Sequence, residues 1–307
     1  MTEPPVIEMR GVKKSFGRTQ VLRGVDLHVP AGQTFAFLGR NGAGKTTSIR
    51  MMLGLLSPDS GEIRILGMDP RTQALEIRRR VGYVAEDPAM FGWMRVSQIL
   101  SFVSPFYPTW DAAWAKNLTE RFELPLKTRI KNLSKGQAVR VALLLALAHR
   151  PELVILDDPT LGLDPIMRKE FLRDLVGYLQ GERVSVFFSS HLLYEIEPVA
   201  DSVVILDRGR VIRQAATEDL RAHVKRVLAP VDATELLEGV PGILDFQVVG
   251  RQVSMVVENI AAARLTTESA GVEIQEVDLN LDEIFEAYVI GRPKDGHHAQ
   301  PPLERMA

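Results

Sequence analysis

The chain has 307 residues, enough for one large domain and a smaller one. Hydrophobic residues make up 46% and charged residues 25%, and a formal net charge of −2 gives no electrostatic case for a nucleic-acid partner. The absence of cysteine excludes a disulfide framework, thiolate zinc sites and a cysteine nucleophile, and it fits a reducing compartment.

The N-terminus has no basic patch followed by an apolar stretch, so no secretory signal is expected. Residues 6–29 alternate in short apolar pieces, as in an antiparallel sheet, and Pro30-Ala31-Gly32 marks a turn. Residues 34–38 form an apolar strand that runs into a glycine-rich loop. A helix is expected over 46–56, stopped by Ser57-Pro58-Asp59-Ser60-Gly61, with strands at 62–66 and 81–84. Residues 87–132 carry eight aromatic residues between Phe91 and Phe122, including all three tryptophans, at helical spacing. They read as an inserted helical subdomain whose aromatics pack a small core of their own.

Beyond it come a helix over 134–148, a buried strand at 153–157, a helix near 165–179 and a buried strand at 184–189. Strands alternating with helices of this length predict a mostly parallel sheet covered on both faces. Residues 203–206 and 211–213 read as a hairpin. The apolar run at 141–148 is far too short to span a bilayer, which takes roughly 20 residues. From about residue 223 the order is strand (227–231), helix (234–237), strand (244–249), strand (253–258), helix (261–270), strand (272–277), helix (281–290), the split pattern of a ferredoxin-like domain with one extra helix. The expected division is thus 1–222, 223–292, and a polar, proline-rich disordered tail at 293–307. His297-His298 lies in that tail, where no metal role is expected.

Gly39-Arg40-Asn41-Gly42-Ala43-Gly44-Lys45-Thr46-Thr47 fits the P-loop pattern of Gly, four residues, then Gly-Lys-Ser/Thr. Glycines let successive amides converge on one anion, and the helix that follows adds its positive end. Lys45 would neutralise the β- and γ-phosphates of ATP, and Thr46 would offer its hydroxyl to Mg2+. The buried strand ends in Asp157 and Asp158. Either could be a simple turn or cap residue, but beside a P-loop Asp157 is placed to hold Mg2+ and Asp158 to orient or deprotonate the attacking water. Ser134-Lys135-Gly136-Gln137 reads locally as a capping box, and a capped helix start with a lysine is also an anion site.

Leu133-Ser134-Lys135-Gly136-Gln137 resembles the LSGGQ signature of ABC-type ATPases, and the other motifs of that family follow in order. The resemblance covers about two-thirds of the chain. It implies an ABC-type P-loop NTPase, α/β with a mostly parallel core sheet, an antiparallel N-terminal sheet and a helical subdomain. It further implies that Phe16 stacks on adenine, that Glu86 stands at the Q-loop position beside Mg2+, that Leu161-Gly162-Leu163-Asp164 is the D-loop, and that His191 reads the γ-phosphate. Ser134, Gly136 and Gln137 would close over the nucleotide held by a second copy. The C-terminal unit is similar to the small domain of some bacterial exporter subunits, ending in Leu281-Asp282-Glu283-Ile284-Phe285.

Three positions depart from the family pattern: Asp158 replaces glutamate, Glu86 replaces glutamine and Lys135 replaces a glycine. The first two imply slow hydrolysis. The implied function is the ATPase subunit of a separate membrane permease, an exporter, working as an ATP-dependent dimer on the cytoplasmic face of the membrane. Phe91, Trp93 and Met94 are the candidates for the permease-facing surface. A soluble ABC ATPase and a slow nucleotide switch remain as alternatives.

Overall fold

The computed structural model describes residues 4–161, 163–179, 184–190 and 197–291. The expected tail at 293–307, with His297-His298, lies outside them. An antiparallel hairpin, β1 (Ile7–Phe16) and β2 (Thr19–Val29), opens the chain. β3 (Thr34–Gly39) leads through the glycine-rich loop into helix α1 (Lys45–Met52). β4 (Ser60–Ile65) returns to the far side of β1, giving a three-stranded sheet in the order β2-β1-β4.

α1 ends four residues before the expected stop. Gly54, at φ +66°, takes the left-handed position after the helix, and the Leu55 amide reaches back to the Arg50 carbonyl at 2.8 Å. The Gly54 amide bonds the Met51 carbonyl at 3.0 Å, so a Schellman motif terminates the helix before Pro58 is reached.

α2 (Ala74–Arg80) precedes β5 (Val81–Val84), followed by the helical subdomain, α3 (Val96–Val103) and α4 (Ala112–Arg121). α5 (Lys135–Leu147), β6 (Leu153–Asp157), α6 (Pro165–Leu179), β7 (Ser185–Ser190), β8 (Ser202–Asp207) and β9 (Arg210–Ala216) complete the ATPase-like part. The main sheet has the order β5-β6-β7-β3-β8-β9, parallel except for the β8–β9 hairpin.

β3, β6 and β7 are buried at every position, as parallel strands between two layers must be. Their alternation divides two cores. Ala36, Leu38, Val154, Leu156, Val186 and Phe188 face the helical side, whereas Phe35, Phe37, Leu153, Ile155 and Phe187 face α1 and the antiparallel sheet.

The aromatic residues of the helical subdomain divide. Phe122 is buried, with Trp110 and Trp114 packed against the same core, but this is the large core shared with the helical face of the main sheet and not a small core of the subdomain's own. Phe91, Trp93, Phe102 and Phe106 instead stand 44–66% exposed and touch one another in a chain of tilted and edge-on pairs. Met94 corrects the expectation of a surface role: it is buried, because its amide bonds the Phe91 carbonyl and its carbonyl accepts from the Ile130 amide, turning its side chain into the core.

A short helix absent from the sequence reading, α7 (Thr217–His223), leads to the C-terminal unit. There β10 (Lys225–Pro230), α8 (Thr234–Glu238), β11 (Ile243–Val249), β12 (Gln252–Val257), α9 (Ile260–Ser269) and β13 (Gln275–Asp278) build an antiparallel sheet in the order β11-β12-β10-β13. That is the ferredoxin-like arrangement. β13 begins three residues later than expected. Pro230, with no N–H, stands where its ladder with β10 would continue.

The last helix, α10 (Leu281–Val289), buries Leu281, Ile284, Phe285 and Tyr288 in the core shared with Ala200 of the ATPase-like part and with Leu220 and Val224 at the connecting helix α7. Polar ties reinforce the seam. Glu258 accepts from the Tyr288 hydroxyl at 2.8 Å and pairs with Arg213 at 3.0 Å.

His149, just past α5, anchors the helical subdomain. It is 1% exposed, stacked on Tyr107 at 4.1 Å, and its carbonyl accepts from the Thr109 hydroxyl at 2.8 Å. The Leu145 and Val81 carbonyls lie near the ring, yet neither nitrogen reaches a hydrogen bond of good geometry. Burial therefore pushes the imidazole from 6.5 down to about 4. Below pH 6.5 the unfolded chain binds a proton that the folded chain refuses, so this stability is complete above 6.5 and is lost as pH falls toward about 4. Urea unfolding at pH 7 and pH 5 should show a loss of roughly 2 kcal/mol from this group, absent in His149→Phe, which keeps the stacking but cannot titrate.

Candidate functional site

The glycine-rich loop leaves the carboxyl end of β3 in the middle of the sheet. Gly42 and Gly44 take positive φ, at 81° and 113°. At Gly44 a Cβ would also lie 2.5 Å from Leu22 Cδ2, so only glycine suits this turn. α1 starts with no side-chain cap and no acid in its first turn. Among the described residues no acceptor meets the amides of Gly42, Gly44, Lys45, Thr46 and Thr47. These free donors at a positive helix end form an anion cradle. Ala43 differs from the expectation, since its amide is already bonded to the Arg40 carbonyl at 3.0 Å. It shapes the loop rather than offering a donor. Asn41 is exposed beside it.

Lys45 is 6% exposed and donates to the Gly39 carbonyl at 2.7 Å, folding its ammonium back over the loop. Burial holds this ammonium below the usual lysine range, and the charges of Asp158, Asp157 and Glu86, in that order, pull it back up. The three acids named from the sequence thus act on one lysine.

Asp157 ends β6, 2% exposed, and its Oδ1 accepts from Ser189 Oγ at 2.8 Å and Thr46 Oγ1 at 3.3 Å. Burial raises its carboxyl above the usual range, while the two hydroxyls oppose the shift. Asp158 turns the chain at φ 48°, a left-handed conformation that aspartate tolerates better than most side chains. Its amide bonds the Ser189 carbonyl at 3.1 Å and the Ser189 hydroxyl at 3.2 Å. Glu86 is exposed just beyond β5.

Ser189 was only a strand residue in the sequence reading. The signal available there was a hydroxyl pair, Ser189-Ser190, directly after the apolar run Val186-Phe187-Phe188. His191 follows directly, and it and Gly162 lie outside the described residues. The rest of the expected D-loop is described. Leu161 donates to the Asp158 carbonyl at 3.0 Å, and Asp164 Oδ1 accepts from the Ile166 and Met167 amides, each at 3.0 Å, capping α6.

Thr46 and Asp157 suit Mg2+. They are hard oxygen donors already within 3.3 Å of one another, and no group of three or more His, Cys, Asp or Glu able to hold a metal occurs among the described residues. Mg2+ needs no such cage, since it takes one or two carboxylates together with substrate phosphates and water.

Phe16 is 50% exposed at the end of β1, with Lys14 Nζ 5.6 Å from its ring centre, so one face of an aromatic platform is open. Ser134 caps α5 reciprocally with Gln137: Ser134 Oγ accepts from the Gln137 amide at 3.2 Å and Gln137 Oε1 from the Ser134 amide at 3.1 Å. Ser134 and Lys135 are exposed, whereas Gly136 is buried where a Cβ would stand 1.8 Å from Met167 Cε. No hydrogen bond or ion pair among the described residues joins this helix start to the 39–47 loop.

The geometry is therefore a phosphate cradle with a buried lysine and two acids on one side, and a separate capped helix start on the surface. Residues 22–161 match the family described as ABC transporter. The bacitracin transport ATP-binding protein BcrA of Bacillus licheniformis is 35% identical over 73% of this chain and 74% of its own length. The daunorubicin resistance ATP-binding protein DrrA3 of Streptomyces coeruleorubidus is 31% identical over 91% of this chain and 94% of its own. A solved ATP-binding subunit of an ABC transporter superposes with a TM-score of 0.64 at 29% identity, over 71% of this chain and 92% of that one.

Lys45→Gln removes the cradle's cation while keeping a hydrogen-bonding chain of similar length. Its affinity for a fluorescent ATP analogue should fall at least tenfold with little change in melting temperature; unchanged affinity would count against the cradle.

Proposed function

Because the chain belongs to the ATP-binding subunits of the ABC transporter family, we propose that it powers a separate membrane permease, an exporter, through ATP-driven dimerisation. The half-site carries this reading. Asp157 and Asp158 stand beside Thr46 and Lys45 of the loop, while the Ser134 helix start stays unconnected to it. A second copy would supply Ser134, Gly136 and Gln137 to the γ-phosphate, so ATP bridges two chains and hydrolysis loosens them. The names of the relatives, one in bacitracin transport and one in daunorubicin resistance, support an exporter. No helix among the described residues is long and apolar enough to cross a membrane, which leaves that task to the partner. On this reading residues 1–222 form the ATPase unit, residues 223–292 an accessory unit, and the chain sits on the cytoplasmic face of the membrane.

In the bound state Phe16 stacks on the adenine, the amides of Gly42, Gly44, Lys45, Thr46 and Thr47 hold the phosphates, and Lys45 neutralises the β- and γ-oxygens. Mg2+, when bound, draws charge from the same oxygens. Thr46 and Asp157 would hold it with Glu86 beside it, and His191 would read the γ-phosphate. Asp158 orients the attacking water and takes its proton.

Turnover is slow in this reading. An aspartate carboxylate sits about 1.5 Å behind a glutamate's, and misplacement of that size costs about a hundredfold. Glu86 adds a further negative charge near the γ-phosphate. The left-handed backbone at 158 makes asparagine a clean probe, since it shares aspartate's tolerance of that conformation. Steady-state ATPase of Asp158→Asn should fall about a hundredfold or more with nucleotide affinity kept; a rate equal to the parent's would remove Asp158 from catalysis.

Phe91 and Trp93, exposed and in mutual contact at 6.2 Å, are the proposed permease contact, and Met94 drops out because it is buried. Trp93→Ala should lower permease-stimulated ATPase several-fold and leave basal ATPase and melting temperature unchanged. Undiminished stimulation would place the contact elsewhere.

A further inference from the structure

We propose that Ser189 is a positioning residue that sets both acids of the site through one hydroxyl. Parallel pairing makes Ser189 the register partner of Asp157 on β6 and of Phe37 on β3, so it lies on the strand between the phosphate loop and the acids. It is 0% exposed. A serine hydroxyl has one proton and two lone pairs, and here the proton and one lone pair have distinct uses. Oγ accepts from the Asp158 amide at 3.2 Å, which turns its own proton toward Asp157 Oδ1, 2.8 Å away.

The acceptor side steadies the left-handed turn at Asp158. The donor side fixes the rotation of the Asp157 carboxylate. Thr46 also donates to Oδ1, but at 3.3 Å, and its hydroxyl is the one expected to turn to Mg2+. Ser189 is then the donor that stays with Oδ1. Oδ2 meets no donor among the described residues and remains available to the metal or its water shell. Hydrogen-bond partners of this kind, one step removed from the metal, commonly change metal affinity about tenfold to a hundredfold when removed.

The inference rests on the proposed use of Asp157 toward Mg2+. Ser189 touches neither nucleotide nor metal, so its effect should appear only where Mg2+ takes part. A purely structural hydroxyl would act on folding, or on all nucleotide binding alike.

The test uses the full-length protein and a fluorescent ATP analogue, titrated in EDTA and in Mg2+, with melting temperature recorded for each variant. In Ser189→Ala the gain in affinity brought by Mg2+ should shrink about tenfold or more. The Mg2+ concentration for half-saturation should rise by a similar factor, and affinity in EDTA should equal the parent's. Ser189→Thr, which keeps the hydroxyl on a β-branched residue suited to a strand, should restore the gain. A full Mg2+ gain in Ser189→Ala, or an equal loss in EDTA and in Mg2+, would overturn the proposal. Should Ser189→Ala fail to fold, Ser189→Cys serves instead. Its weak S–H donor should give a partial loss of the gain, and an undiminished gain would overturn the proposal as well. A parent with no Mg2+ gain would overturn the metal role of Asp157 itself, a result seen before any variant is made.

Discussion

Three apolar strands, β3, β7 and β6, must lie side by side because each is buried along its whole length. A strand with no wet face can be satisfied only between two neighbours and two covering layers. Once they are adjacent and parallel, their carboxyl ends open on the same edge of the sheet. The loop leaves β3 there, the two acids close β6 there, and Ser189 stands between them in register. A phosphate cradle and a pair of carboxylates, far apart in the chain, meet because of this packing requirement.

The same sheet divides the hydrophobic residues into two cores, and each core carries a different task. One side buries α1 and the antiparallel sheet, fixing the direction in which the uncapped helix end points. The other side buries the helical subdomain and α10 of the C-terminal unit together. The C-terminal unit is therefore packed into the ATPase-like part through α10 and does not merely hang from a linker. On the helical side four aromatic residues remain outside the core, in contact with one another and with water. An apolar surface of this kind is commonly an interaction site.

Electrostatics at the cradle are poised rather than settled. Lys45 is buried enough to resist its charge and is held charged by the acids around it, while burial makes the Asp157 carboxylate harder to ionise and hydroxyl donors ease it. Positive and negative groups that each need the other in a buried setting respond strongly to the arrival of phosphate and metal. The left-handed turn at Asp158, tied to Ser189, adds a backbone constraint that suits the short acid found there.

Much of this was legible in the chain. The 39–47 loop, the acid-ended strand, the Ser134 capping box and the ferredoxin-like order all rest on local patterns, where glycine freedom, strand alternation and side-chain capping act over a few residues. Those forces do not depend on which element lies next door, so the sequence determined them unaided. It also determined that a triphosphate site exists. Tertiary structure decided the rest. The burial of Met94, the exposure of Phe102 and Phe106, the late start of β13 opposite Pro230 and the spent amide of Ala43 each depend on a neighbour distant in sequence or on a turn's final geometry. Above all, no pattern within Ser185–Ser190 reveals that its strand lies between β3 and β6. A hydroxyl's role is set by the groups within about 3 Å of it, and for Ser189 those groups come from a strand about thirty residues away in the chain.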